Sequence, residues 1–348
     1  MNTSRRTLLK ASLAPLFFMA GTARAEEAAL SDQPEIRIIQ DKDPALLLAR
    51  ISTPGFDATL ARAVLNFLFD TYPTANLPVW KLPLSRIDMH VRVTEIARHV
   101  VQAAVSHAAI HPVDPCWIMG QIMAESFFYE FAVSSALAVG PCQFIAPTAR
   151  TYGLVCADAH KLPPGLARKP ELEPEFERAA QLRTRTRTLR RENSTLFNSP
   201  SKTLRAILNT LAAGKPVTNA KAYLTTLQSM EKLQSEYSQA RDNARQYLQE
   251  NFTGRSIFNP QDVVFLEKFD QRVLYEHSIG AMVRMMAENL RARNGNILAA
   301  TAGYNAGPGN TSYPSGVYAS FGRIPNFGET VDYVSKIVIN HYEITRRL

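Results

Sequence analysis

Apolar residues recur at helical spacing through much of this chain. Between Phe56 and Phe69, Leu60, Val64, Leu65 and Leu68 fall on one face. Between Ile87 and Ala109 the pattern returns with Val91, Val93, Ile96, Val100 and Val101. Asp114-Pro115 then predicts a helix start, with the aspartate as cap and the proline in the first turn. That helix is expected to run from Cys116 to about Tyr129. Pro147 can open a further helix, and another begins near Asn296. Strict alternation with hairpin turns is scarce, which argues against a large sheet. The predicted class is all-α or mostly α.

From Lys161 to Asn259 the composition turns polar and charged. Leu182 to Arg191 is dense in arginine. Ala220, Tyr223, Leu227, Met230, Leu233, Tyr237, Ala240, Ala244 and Tyr247 recur every three or four residues. This draws one narrow apolar stripe along a long helix. The expected object is a helical hairpin, partly coiled-coil, inserted into the main domain. It reads either as a spacer or as an arm that docks a protein partner or holds substrate.

The N-terminus changes the picture of where the protein works. Ser4-Arg5-Arg6-Thr7-Leu8-Leu9-Lys10 precedes the apolar run Ala14 to Ala20 and then Ala23-Arg24-Ala25. Basic, apolar and small-residue segments in that order predict an export signal over residues 1–25, with the arginine pair of the twin-arginine route. The apolar run is too short to span a bilayer, and no later segment predicts a membrane span. A soluble periplasmic protein is expected. The formal net charge of +8 favours polyanionic partners without choosing among them. Cys116, Cys142 and Cys156 are an odd number in an exported chain, so at least one thiol is unpaired or pairs with another molecule.

Three short segments carry candidate chemistry. Glu125 lies in the apolar run Gln121 to Phe128. A carboxyl inside an apolar helix is costly to ionise, so its proton stays available near neutral pH. A poor leaving group such as a glycosidic oxygen needs that donor. Gly140-Pro141-Cys142-Gln143 predicts a turn, and the Gln143 amide suits an N-acetyl sugar. Tyr304-Asn305 ends a helix just before the glycine-rich Gly307-Pro308-Gly309, where the tyrosine could bond the carboxyl or a sugar. Taken singly, each segment is ordinary.

In order and content the three segments resemble the soluble lytic transglycosylases. That family carries Glu-Ser on a helix, here Glu125-Ser126. It then has a Gly-Leu-Met-Gln turn, here Gly140 to Gln143, and Ala-Tyr-Asn-Ala-Gly, here Gly303 to Gly307. An Ile-Pro…Glu-Thr-x-x-Tyr-Val segment follows, here Ile324 to Val334. The resemblance covers roughly 114–154 and 269–342. Pro141-Cys142 replaces Leu-Met, Leu137 stands where a glycine is usual, and Gly303 replaces the alanine before Tyr304.

The resemblance implies a lysozyme-like domain split by the helical insertion. Residues 26–110 would form an N-terminal helical region, 111–160 and 260–348 the two halves of the catalytic domain, and 161–259 the insertion. It also implies cleavage between N-acetylmuramic acid and N-acetylglucosamine in peptidoglycan, with Glu125 as acid and then base. Ser126 and Gln143 would orient the site, Tyr304 and Asn305 contact Glu125 or the sugar, and Glu329 line or brace the groove. Paired-carboxylate glycosidases need a second acid. Asp158 and Glu130 are candidates, but neither falls in a recognisable partner motif. One carboxyl fits a lytic route that closes a 1,6-anhydro ring and needs no cofactor. A hydrolytic muramidase of the same fold and an inactive peptidoglycan-binding scaffold are the alternatives. The export signal argues against a nucleic-acid partner. His107 and His111 lack the glutamate of a zinc helix motif, so no metal is expected.

Overall fold

Helical spacing becomes helix almost wherever the pattern predicts it. The computed structural model describes residues 44–159, 162–313, 315–316 and 318–348. The expected export signal, and Lys161 at the start of the expected insertion, lie outside the described residues. The helices are α1 (Pro44–Ile51), α2 (Phe56–Thr71), α3 (Met89–His107), α4 (Pro115–Ser126), α5 (Ala146–Thr151), α6 (Glu175–Glu192) and α7 (Ser194–Asn198). They continue with α8 (Pro200–Ala212), α9 (Ala220–Phe252), α10 (Pro260–Phe269), α11 (Tyr275–Ala292), α12 (Ile297–Ala306) and α13 (Gly328–Thr345). Among the described residues, extended pairing is confined to isolated bridges, two of them joining Val139 to Val133 and Phe144. The chain is mostly helical.

The main core forms around α4. Cys116, Trp117, Ile118, Met119, Ile122 and Met123 are all buried, so this helix is apolar on every side and sits inside the molecule. Asp114 caps it, accepting the Cys116 N–H at 2.9 Å. α13 packs along α4, α3 packs against α4 and α11, and α2 covers α3. Gly120 lets α4 and α13 approach closely: a Cβ there would stand 3.1 Å from Asn340 Cβ. Asn340 clasps the same spot, its Nδ2 donating to the Gly120 carbonyl at 2.9 Å.

Two local expectations fail for physical reasons. α4 ends at Ser126 rather than near Tyr129, because Phe127 and Phe128 take φ values of 49° and 62°. The left-handed turn costs about 1–2 kcal/mol per residue, and full burial of the Phe128 ring offsets it. Val91 is exposed, and Met89, one turn before the buried Val93, lies in the core instead.

α6 and α9, separated in the chain by α7 and α8, pack against each other. Ala179, Leu182 and Ala240 make a small buried cluster between them, with Leu233 and Tyr237 packed against it. Farther out the stripe is only half covered, and Leu227 is exposed. At the base, Tyr247, Leu248 and Phe252 of α9 join Val139, Phe269, Val273 and Leu274 in a second buried cluster. The root of the arm is therefore continuous with the body.

Candidate active site

Glu125 sits in the last turn of α4, close to where the left-handed residues break the helix. Its side chain retains some accessible surface. Burial nevertheless pushes its carboxyl from 4.5 up to about 8, against the opposing pull of one hydrogen bond. That bond comes from Tyr333 on α13, whose hydroxyl donates to Glu125 Oε1 at 2.5 Å. Gln121, one turn back on α4 and fully buried, donates its Nε2 to the Tyr333 oxygen at 3.0 Å. The tyrosine proton is thereby aimed at the carboxyl. Burial and the neighbouring Glu125 charge hold the Tyr333 phenol well above its ordinary range.

The turn at 140–143 is pinned carbonyl by carbonyl. Gln143 Nε2 donates to Gly140 O at 2.8 Å and to Ala132 O at 3.2 Å. Ser126 Oγ donates to Pro141 O at 2.9 Å. Tyr304 Oη donates to Cys142 O at 2.7 Å. Three of the sequence-predicted residues thus converge on one turn. Ser126 is buried, while Gln143 and Tyr304 are half-buried. The hydroxyl that bonds Glu125 is Tyr333's, and Tyr304 lies near enough for the Glu125 charge to help raise its phenol further. Asn305 is exposed, its Oδ1 accepting from Thr330 Oγ1 at 2.7 Å. Glu329 is exposed in the first turn of α13.

Beneath the turn lies Arg272, almost wholly buried. Its guanidinium is matched to Asp270, Nε to Oδ1 at 2.8 Å and Nη2 to Oδ2 at 2.6 Å. Nη1 then donates to Phe144 O at 3.0 Å and Leu137 O at 3.2 Å. A buried, doubly matched pair is a strong clamp, and breaking one partner leaves a buried charge. Leu137, where the resemblance expects glycine, adopts φ 62°, the backbone region in which glycine is most at ease.

The candidate second carboxyls are both engaged. Glu130 is buried and forked by Arg92, at 2.7 Å and 2.9 Å. Asp158 pairs with Arg150 at 2.6 Å. Just beyond α4, a cavity of about 610 Å³ is lined in part by Arg92, Tyr129, Phe131 and Gln249. Cavities of about 590 and 610 Å³ lie along the arm instead and are not lined by Glu125. All three cysteines are free and buried, and burial raises the Cys142 thiol well above its ordinary range.

Sequence reasoning missed Tyr333, Gln121 and Arg272 as site residues. Tyr333 was in plain view four residues after Glu329, one helical turn on. For Gln121 the only signal was an amide in an otherwise apolar helix. No family model, curated protein or solved structure matches this chain.

Proposed function

We propose that this protein is a lytic transglycosylase that cuts the bond between N-acetylmuramic acid and N-acetylglucosamine in peptidoglycan outside the cytoplasm. The observation that carries the reading is Glu125, whose carboxyl is held protonated to about pH 8 in the last turn of α4 by burial, with the Tyr333 hydroxyl bonded to it. Near neutral pH it can give a proton to the glycosidic oxygen. The bond from muramic C1 to that oxygen breaks, and the N-acetyl group can stabilise the cation. Tyr333 supports the carboxylate left behind. Glu125 then takes the proton of the muramic C6 hydroxyl, and C6 oxygen bonds to C1. The enzyme ends as it began, and no water enters.

Engagement of Glu130 and Asp158 in ion pairs supports this route over hydrolysis, since neither carboxylate is left unpaired to activate a water. Mass spectrometry of muropeptides after digestion of purified sacculi tests it. The expected products carry 1,6-anhydromuramic ends. Products with reducing ends alone would make the protein a hydrolytic muramidase, and intact sacculi a binding protein.

A further inference from the structure

The arm beyond Leu182 holds the whole charge surplus of the molecule. Residues 183–232 contain ten Lys and Arg against two Asp and Glu. That surplus of eight equals the net charge of the entire chain, so everything outside the segment is balanced, with 29 cations and 29 anions. All ten cations are exposed. Among the described residues none of them is in an ion pair. Five are the arginines between Arg183 and Arg191 on α6.

The same tip carries apolar surface that nothing in the fold covers. On α8, Leu204, Leu208 and Leu211 follow i, i+4, i+7 spacing and so share one face. They are 57 %, 54 % and 57 % exposed. The adjoining side, with Thr203, Ile207 and Thr210 half-buried, lines a cavity shared with Tyr223 of α9. Arg205 borders the leucine face and is itself exposed. On α9, Leu224 and Leu227 add exposed apolar area. Leucines left in water beside unneutralised cations mark a surface built for something.

We infer that the arm tip docks on an anionic lipid bilayer, with α8 lying in the plane of the interface. A cationic helix with a leucine face is the form that interfacial helices take. Anionic headgroups neutralise the arginines, and the acyl boundary accepts the leucines. A nucleic acid or an acidic glycan would satisfy the charge but leave the leucines in water. No helix among the described residues is long and apolar enough to cross a membrane, so the contact is peripheral. Of α9, the stretch from Ala220 to the buried Ala240 extends outward for roughly 30 Å, so the arm holds the Glu125 body away from the surface. This inference goes beyond the glycan-cleaving reading and stands or falls apart from it.

Co-sedimentation of the full chain with vesicles tests it. One set holds phosphatidylglycerol with phosphatidylethanolamine, the other phosphatidylcholine alone. Two variants share the parent's N-terminus, so that segment cancels. One combines Arg185→Gln, Arg187→Gln and Arg190→Gln; the other combines Leu204→Ser, Leu208→Ser and Leu211→Ser. The substituted side chains are mostly exposed, and circular dichroism should show unchanged helicity. The parent should bind the anionic vesicles at low salt, and the neutral ones at least about tenfold less. Each variant should lose about tenfold or more of that binding. Equal binding by the parent and either variant overturns the proposal. Loss in the arginine variant alone makes the tip a polyanion site, and failure of the parent to bind anionic vesicles removes the membrane altogether.

Discussion

A carboxyl that must give up a proton near neutral pH needs surroundings that resist its ionisation, and those surroundings tax the fold. In the proposed mechanism Glu125 is such a group. In the unfolded chain it titrates near 4.5, and in the folded site near 8. Below about pH 4.5 both states hold the proton, and the site costs nothing in charge. As pH rises toward 8 the unfolded state ionises first, so stability falls. Above 8 the full penalty is present, on the order of a few kcal/mol. Glu125→Gln removes the charge. The variant should melt above the parent at about pH 9, with the gap closing at about pH 4, while lysis drops by about a hundredfold or more. Matching melting curves at alkaline pH would show that Glu125 carries no such burden. Tyr333→Phe makes a separate claim. Its hydroxyl is the one group that pulls the Glu125 carboxyl down, so its loss lets that carboxyl rise further. The alkaline limb of the pH–rate profile should then move up while the maximal rate falls by about tenfold. A limb that stays put or moves down would remove Tyr333 from the proton chemistry.

At the scale of elements, helices were legible where periodicity and caps agreed. Asp114-Pro115 marked the start of α4, and Asn296, accepting the Ala299 N–H at 3.3 Å, marked α12. The end of α4 was not legible, since nothing in Phe127-Phe128 announces two left-handed residues; burial of Phe128 decides it. The candidate site was legible in Glu125 and the 140–143 turn but not in the bracing around them. Arg272 and Asp270 look like surface charges in the sequence and become a buried clamp only once α10 and α11 are in place. Gly140 is where clamp and turn meet. It has φ 85°, and a Cβ there would stand 1.9 Å from the Arg272 carbonyl oxygen. Gly153 has the same φ with nothing within 4 Å, which makes it the control. Gly153→Ala should cost about 1–2 kcal/mol, the backbone strain alone. Gly140→Ala should cost at least about 3 kcal/mol and abolish lysis, because the turn must leave Arg272. Equal losses in urea melts would mean that the close approach adds nothing to the strain.

At the scale of the molecule, the arm is two things joined end to end. Its tip is cationic and mostly exposed, with Leu196 and Met230 buried, while its root is core. Tyr247, Leu248 and Phe252 pack against Val139, close to the site turn, and against Phe269 beside Asp270. Composition alone sets the expected insertion at 161–259, because polarity falls off only near Asn259. Packing draws a different line: the cluster of Ala179, Leu182 and Ala240, with Leu233 and Tyr237 against it, begins near Leu233, and beyond it Met230 and Leu196 are buried apart from any larger cluster. Deleting 161–259 therefore removes three large core side chains, each worth about 3 kcal/mol or more. That variant should fail to melt cooperatively. A shorter cut, joining Leu189 to Leu233 through a few Gly and Ser, spares them. Leu189 and Leu233 line the same gap between α6 and α9, so the linker has little to span. Its closure entropy is small and grows only as a logarithm of its length. The trimmed protein should keep cooperative melting and its activity on isolated glycan strands, and should lose binding to anionic vesicles. Calorimetry of the two deletions side by side decides the point. If the trimmed protein melts without cooperativity, the tip belongs to the core after all. If the long deletion melts like the parent, the cluster at the root does not hold the body together.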